Sequence, residues 1–280
     1  MKKFLVLFVI IGLMSVGCGT NPVTGRKQLN FVSESQIFPQ SFAAYQQVLD
    51  SVKISDNTVQ VEQVKRVGLK IQKAVEKFFT EIGQPNTLDN YEWEYNVIES
   101  EQLNAWCMPG GKVAFYTGIL PVCQDDAGIA VVMGHEIAHA IANHGAERMS
   151  QASVQNTVGQ LGAIALGTAG TSEQNTQLIL QAYGIGSQVG MLAYSRDHES
   201  EADEMGILFM ALAGYDPTVA PEFWKRMQAM SSASGGQNPP EFLSTHPHPT
   251  TRIDDLNNMM PYAVEAYKTG SVKKYLDSKK

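Results

Sequence analysis

Positive charge, cysteine and long apolar runs are all in short supply in this 280-residue chain, and each shortage narrows what the chain can be. Lysine and arginine total 21 against 28 aspartates and glutamates, a formal charge of −7. A protein that tracks phosphates needs the opposite balance, so nucleic acid is not the partner. After Cys18 no stretch reaches the roughly 18 apolar residues of a membrane span, which excludes a bundle of transmembrane helices. No internal repeat of the helical-repeat kind is evident either, so an interaction solenoid is not indicated. With three cysteines in all, the body after Cys18 has only Cys107 and Cys123. A bridge between them would close a loop of about 15 residues and stabilise by ~3 kcal/mol. The alternative is two small buried thiols.

What the chain does have begins with a leader. Met1-Lys2-Lys3 precedes an apolar run from Phe4 to Met14 and then Ser15-Val16-Gly17-Cys18. A charged start, a short hydrophobic core and small residues before a cut describe a signal peptide over residues 1–17. The cysteine after Val-Gly resembles a bacterial lipoprotein cleavage site, although Ser15 stands where leucine is usual. Cys18 is then the lipidated first residue, residues 18–30 a tether rich in Gly, Thr, Asn and Pro, and the body a periplasmic domain held on a membrane, the outer membrane by preference.

Local patterns give the body an α+β, mostly helical fold over residues 31–268. Ser33-Glu34-Ser35-Gln36 offers a capping-box start to a helix through about Val52, and Thr58 to Phe79 repeats apolar residues at helical spacing. Trp93, Tyr95 and Val97 alternate with polar residues as a strand should. Two further strands, 104–108 and 113–117, flank Pro109-Gly110-Gly111 as a hairpin, so a small antiparallel sheet is expected against the next helix. The stretch from Val154 to Ala193, rich in Gly, Ala, Ser and Gln, reads as helices packed through small residues, either core or a cover. Asp216-Pro217 opens a helix through Met230, 231–240 is a loop, Arg252 to Tyr267 closes the fold, and 269–280 is a solvated tail.

The chemistry sits between Asp126 and Asn143, where only His135, Glu136 and His139 interrupt Gly, Ala, Val, Ile and Met. That composition is a helix buried on nearly all sides. Ionisable groups buried there cost several kcal/mol unless partnered, and residues four apart share a face. Two imidazoles on one face and an intervening glutamate make the H-E-x-x-H pattern, in which a metal ion is the common partner. Such a site needs a third protein ligand. The extended three-histidine pattern is excluded, because Ala142 and Gly145 stand at its glycine and histidine positions. His144 is one residue early and would point about 140° from His139 on a continuing helix, as a helix-end or surface residue. A later helix offers Glu199 as third ligand, with Asp203 one turn on to accept a hydrogen bond from a ligand imidazole; Glu201 points elsewhere.

Asn104-Ala105, Pro109-Gly110-Gly111, H-E-x-x-H, Ser195-Arg196 and Glu199-x-x-Ala202-Asp203 together resemble the zinc metallopeptidases of the type I CAAX prenyl protease and HtpX kind. Cys18, Asn21-Pro22-Val23-Thr24-Gly25 and Val32-Ser33-Glu34-Ser35 look like that family's periplasmic lipoprotein branch, which includes the beta-barrel assembly-enhancing protease. Unlike the first kind, this chain lacks multiple membrane spans; unlike that branch member, it has no carboxy-terminal repeat domain. The resemblance implies a zincin-like fold and one Zn²⁺ per chain, held by His135, His139 and Glu199, with Glu136 as general base. It also implies unfolded or misassembled envelope proteins as substrates and the outer-membrane assembly machinery as a further partner. If 113–117 is a sheet edge, Val113, Ala114, Phe115 and Tyr116 can pair with an extended peptide. His246, in Thr245-His246-Pro247-His248-Pro249 with Arg252 following, either stabilises the oxyanion or blocks the metal's open position, while His248 reads as a loop residue. The rival class is a chaperone or assembly factor with a structural metal, and a zinc hydrolase of cell wall or lipid is a weaker one.

Overall fold

The protein is described by a computed structural model covering residues 18–21, 23–30, 32–155, 179–182, 194–233, 241–247 and 251–280. The leader, most of 154–193, residues 234–240 of the expected 231–240 loop and His248 lie outside the described residues. In chain order the strands are β1 (Cys18–Thr20), β2 (Lys27–Leu29), β3 (Glu94–Ile98), β4 (Ala105–Met108) and β5 (Lys112–Tyr116). The helices are α1 (Glu34–Ser51), α2 (Thr58–Glu81), α3 (Leu120–Cys123), α4 (Asp126–Ile141), α5 (His144–Gln155), α6 (Arg196–Leu212), α7 (Val219–Ala233), α8 (Glu241–Thr245), α9 (Arg252–Thr269) and α10 (Lys273–Ser278). None of the described helices is long and apolar enough to cross a membrane.

Helix starts follow local chemistry. The Ser33 N–H donates to Gln36 Oε1 at 3.1 Å as α1 begins, and Asn57 Oδ1 accepts from the Gln60 N–H as α2 begins. Asp125 caps α4 by accepting from the Gly128 N–H at 2.9 Å, and Ser195 caps α6 through the His198 N–H at 3.1 Å. Each cap satisfies a donor that the first helical turn leaves without an internal partner.

The three-stranded sheet has the order β3-β5-β4 and is mixed. The β4–β5 hairpin is antiparallel, turning through Gly110 and Gly111 at φ +80° and +87°, backbone that glycine adopts without Cβ strain. However, β3 runs parallel to β5, so the expected all-antiparallel sheet is corrected. Alternation in Trp93, Tyr95 and Val97 identifies a strand but carries no direction. The correction extends to Val113–Tyr116: β5 is central, bonded on both sides, and cannot accept a peptide as a new edge.

Both chain ends of the described body are also more ordered than the sequence suggests. Instead of a tether, β1 and β2 pair as a hairpin whose Asn21 and Gln28 are buried, with Gln28 Nε2 donating to the Ala142 carbonyl. Instead of a free tail, residues after 269 form α10, which buries Tyr275 and anchors Val272 N–H on Glu81. Cys107 on β4 and Cys123 at the end of α3 are separate buried thiols with no bridge. Burial pushes the Cys107 thiol well above its ordinary value, so it is inert.

The core is assembled around α4, buried along nearly its whole length as its composition requires. Its main partner is α6, and the two helices meet at glycines. A Cβ on Gly134 would lie 2.7 Å from the Gly206 carbonyl oxygen, and one on Gly206 would lie 2.8 Å from the His135 nitrogen. Backbone-to-backbone approach of this kind leaves no side chain to yield. We therefore expect Gly206→Ala to lower unfolding free energy by about 1–3 kcal/mol in a urea titration. Gly19→Ala, at a position with open space around it, should leave the midpoint unchanged.

Candidate active site

The α4–α6 crossing brings His135, His139 and Glu199 to one point. His139 Nε2 lies 3.0 Å from His135 Nε2 and 3.3 Å from Glu199 Oε1, and His135 Nε2 lies 3.4 Å from Glu199 Oε2. Four ligands placed tetrahedrally at about 2.0–2.1 Å from a zinc ion stand about 3.3 Å apart, so the donor set and its spacing fit such an ion. His246, just beyond α8, joins the same group: its Nδ1 is 3.0 Å from Glu199 Oε1 and 3.3 Å from His135 Nε2. The ring stacks on Phe242 at 4.5 Å. Its Nε2 stands 3.5 Å from Glu136 Oε1.

Burial and charge set the protonation of this cluster. Burial opposes ionisation of Glu199, yet His246, His135 and His139 hold its carboxyl well below the usual range. Burial drives His139 well below its ordinary value, keeping the ring neutral as a ligand must be. At His135 burial works the same way, but Asp203 and Glu199 outweigh it and carry the ring up to about 9. Burial raises Glu136, the direction that suits a general base working near neutral pH.

Each histidine of the motif is oriented through its second nitrogen. His135 Nδ1–H donates to Asp203 Oδ1 at 3.0 Å, and Arg252 Nε donates to Asp203 Oδ2 at 2.6 Å. The same guanidinium reaches Glu199 Oε2 at 2.5 Å and lies over the Trp224 ring at 3.8 Å. On the other side, His139 Nδ1 is 2.8 Å from His144 Nδ1, and the His139 ring stacks on Tyr194 at 3.8 Å. His144 thus stands far from where the sequence puts it. Helix α4 ends at Ile141 with Ala142 as its cap, Asn143 takes φ +56°, and the chain turns so that His144 opens α5 fully buried against His139. An asparagine two residues past the last helical residue was the available signal, since asparagine tolerates left-handed backbone.

The structure therefore gathers His135, Glu136, His139, Glu199, Asp203 and His246, and adds Arg252, His144 and Tyr194. It does not bring in β5, whose Val113, Ala114 and Phe115 are fully buried in the sheet. Arg252 is itself fully buried between Asp203 and Glu199. Removing one partner of a buried ion pair leaves an uncompensated charge. We expect Arg252→Ala to cost about 3–5 kcal/mol of stability by chemical denaturation. Lys53→Ala, which breaks the exposed pair with Glu99, should leave the denaturation midpoint nearly unchanged.

Comparison with known proteins agrees with this geometry. The chain is 35% identical over 200 residues to the mitochondrial metalloendopeptidase OMA1 of Saccharomyces cerevisiae, covering 70% of this chain and 55% of that protein. It is 29% identical over 272 residues to the mitochondrial metalloendopeptidase OMA1 of Homo sapiens, covering 95% of this chain and 50% of that one. It is 32% identical over 181 residues to the beta-barrel assembly-enhancing protease of Escherichia coli, covering 62% of this chain and 36% of that one. The chain spans about half the length of the OMA1 relatives and less of the bacterial one. Residues 66–260, which contain every side chain of the buried cluster from His135 to Arg252, match peptidase family M48, and the chain belongs to that family of metallopeptidases.

Proposed function

We propose that this chain is a zinc-dependent endopeptidase that cleaves misfolded or unassembled envelope proteins. The observation that carries the reading is the triangle of His135, His139 and Glu199 donors at 3.0–3.4 Å with Glu136 beside it on the same helix. His135, His139 and Glu199 would hold one zinc ion per chain, which would supply Lewis acidity and make a water acidic near neutral pH. Glu136 takes the proton of the attacking water and passes it to the leaving amine. Asp203 and Arg252 keep the His135 ring turned so that its Nε2 faces the His139 and Glu199 donors.

With β5 unavailable, the strand that can present substrate is β4. Among the described residues its backbone is laddered only to β5, which leaves the other edge without a strand partner for an extended peptide to supply, although Ala105–Met108 are themselves buried. Asn104, just before it, has a buried Nδ2 with no partner among the described residues, a donor that a substrate carbonyl would satisfy. Backbone pairing demands an extended segment and little else, which suits unfolded proteins.

The charged and apolar leader ending at Cys18 supports export and lipid anchoring on the periplasmic side of a bacterial membrane. The similarity to a beta-barrel assembly-enhancing protease supports an envelope substrate and the outer-membrane assembly machinery as partner. His246 supports one further element. Its Nδ1 stands 3.0 Å from Glu199 Oε1 and 3.3 Å from His135 Nε2, close enough to compete with a water for a metal held there, so it would act as a guard that swings away before catalysis. A permanent fourth ligand would instead close the site and favour the chaperone reading.

Two measurements test these roles. Glu136→Gln should keep zinc by metal analysis and lose casein cleavage by at least about 100-fold, the scale of a general base; turnover near wild type with metal bound would refute the assignment. His246→Ala should raise the rate on denatured casein, whereas a fall would assign the residue to the oxyanion and an unchanged rate would discard both roles.

A further inference from the structure

A second cluster of buried ionisable groups lies outside the metal-binding triangle, and it is built around a residue from the amino-terminal hairpin. Arg26 follows the turn between β1 and β2. Its Nε donates to Glu201 Oε2 at 2.7 Å, and its Nη1 and Nη2 donate to Glu147 at 3.2 and 2.7 Å. Glu201 Oε1 also accepts from the Thr24 hydroxyl. Each carboxylate shares its Arg26-bound Oε2 with a histidine: His144 Nε2 is 2.7 Å from Glu201 Oε2, and His198 Nε2 is 3.0 Å from Glu147 Oε2. Those two rings stack on each other at 4.4 Å and 19°.

We infer that Arg26 is a positioning residue for the metal centre, fixing the His139 ring through Glu201 and His144. This rests on the metal-centre reading above. The proton positions allow one solution along the chain. His139 turns Nε2 to the shared ligand point, so its proton sits on Nδ1 and is donated to His144 Nδ1 across 2.8 Å. His144 must therefore be a neutral acceptor there, and its own proton must sit on Nε2, aimed at Glu201. Glu201 is the only carboxylate within reach of His144 among the described contacts, and Arg26 and Thr24 hold both of its oxygens. Arg26 also steadies the face of His144, through Glu147 and the stacked His198. Without Arg26, Glu201 is free to turn, His144 can take either tautomer, and one of them sets two N–H groups against each other at His139. The hairpin thus completes the metal site from some 110 residues upstream of His139 in the chain.

The test is zinc affinity, read by competition with a chromophoric chelator rather than by cleavage. Arg26→Ala and His144→Ala should each weaken zinc about 10- to 100-fold, the range for loss of an outer-shell partner. The double variant should bind no more weakly than His144→Ala, because both act along one path. Nitrogen NMR of the histidines should show His144 as a single Nε2–H tautomer in the wild type and as a mixture in Arg26→Ala, a change that general loosening would not produce. An unchanged zinc affinity in Arg26→Ala, or losses that add in the double variant, would overturn the proposal. Should Arg26→Ala not fold, Arg26→Lys serves: one ammonium cannot hold both carboxylates, so zinc should still weaken several-fold, and wild-type affinity would again overturn it. Wild-type protein that binds no zinc would defeat the metal-centre reading itself, whereas tight wild-type binding with unaltered variants defeats only this inference.

Discussion

Two carboxylates on one face of α6, Glu199 and Asp203, are buried against two imidazoles on one face of α4, and much of the surrounding structure answers to that burial. Ions removed from water cost several kcal/mol each unless they are paired and hydrogen-bonded. Arg252 supplies both acids with a guanidinium that is itself out of solvent. The glycine contact at Gly134 and Gly206 lets the two helices come close enough for the groups to meet. Aromatic rings on Trp224, Phe242 and Tyr194 wall the imidazoles and exclude bulk water. A divalent ion shared by His135, His139 and Glu199 is the simplest way to neutralise the remaining negative charge.

The two motif histidines are braced in the same manner from opposite sides. His135 leads to Asp203 and then Arg252 near the carboxy terminus; His139 leads to His144, Glu201 and then Arg26 near the amino terminus. Both paths end on arginine, whose planar fork can hold two carboxylates at once. The amino-terminal hairpin is thus tied into the site rather than appended to it, which explains why it stands where a tether was expected.

What could be read from the amino acids was local. The spacing of His135 and His139, and of Glu199 and Asp203, depends only on the period of one helix, and the cap at Ser33 depends on a single turn. The hairpin at Gly110-Gly111 is equally local. The order β3-β5-β4 depends on which side of β5 each neighbour lands, and alternation along a strand says nothing of that. His144 escaped because one backbone angle, at Asn143, redirects everything after it. Glu201 and Arg26 escaped because their partners are more than fifty residues away, where only the folded chain shows the charge balance.

The account depends on one ion held by two imidazoles and a carboxylate. X-ray absorption at the zinc edge of the loaded protein examines that most directly. The account predicts nitrogen and oxygen neighbours at about 2.0–2.1 Å, with the multiple-scattering signature of at least two imidazoles. Sulfur neighbours at about 2.3 Å, or a shell without imidazole, would contradict it.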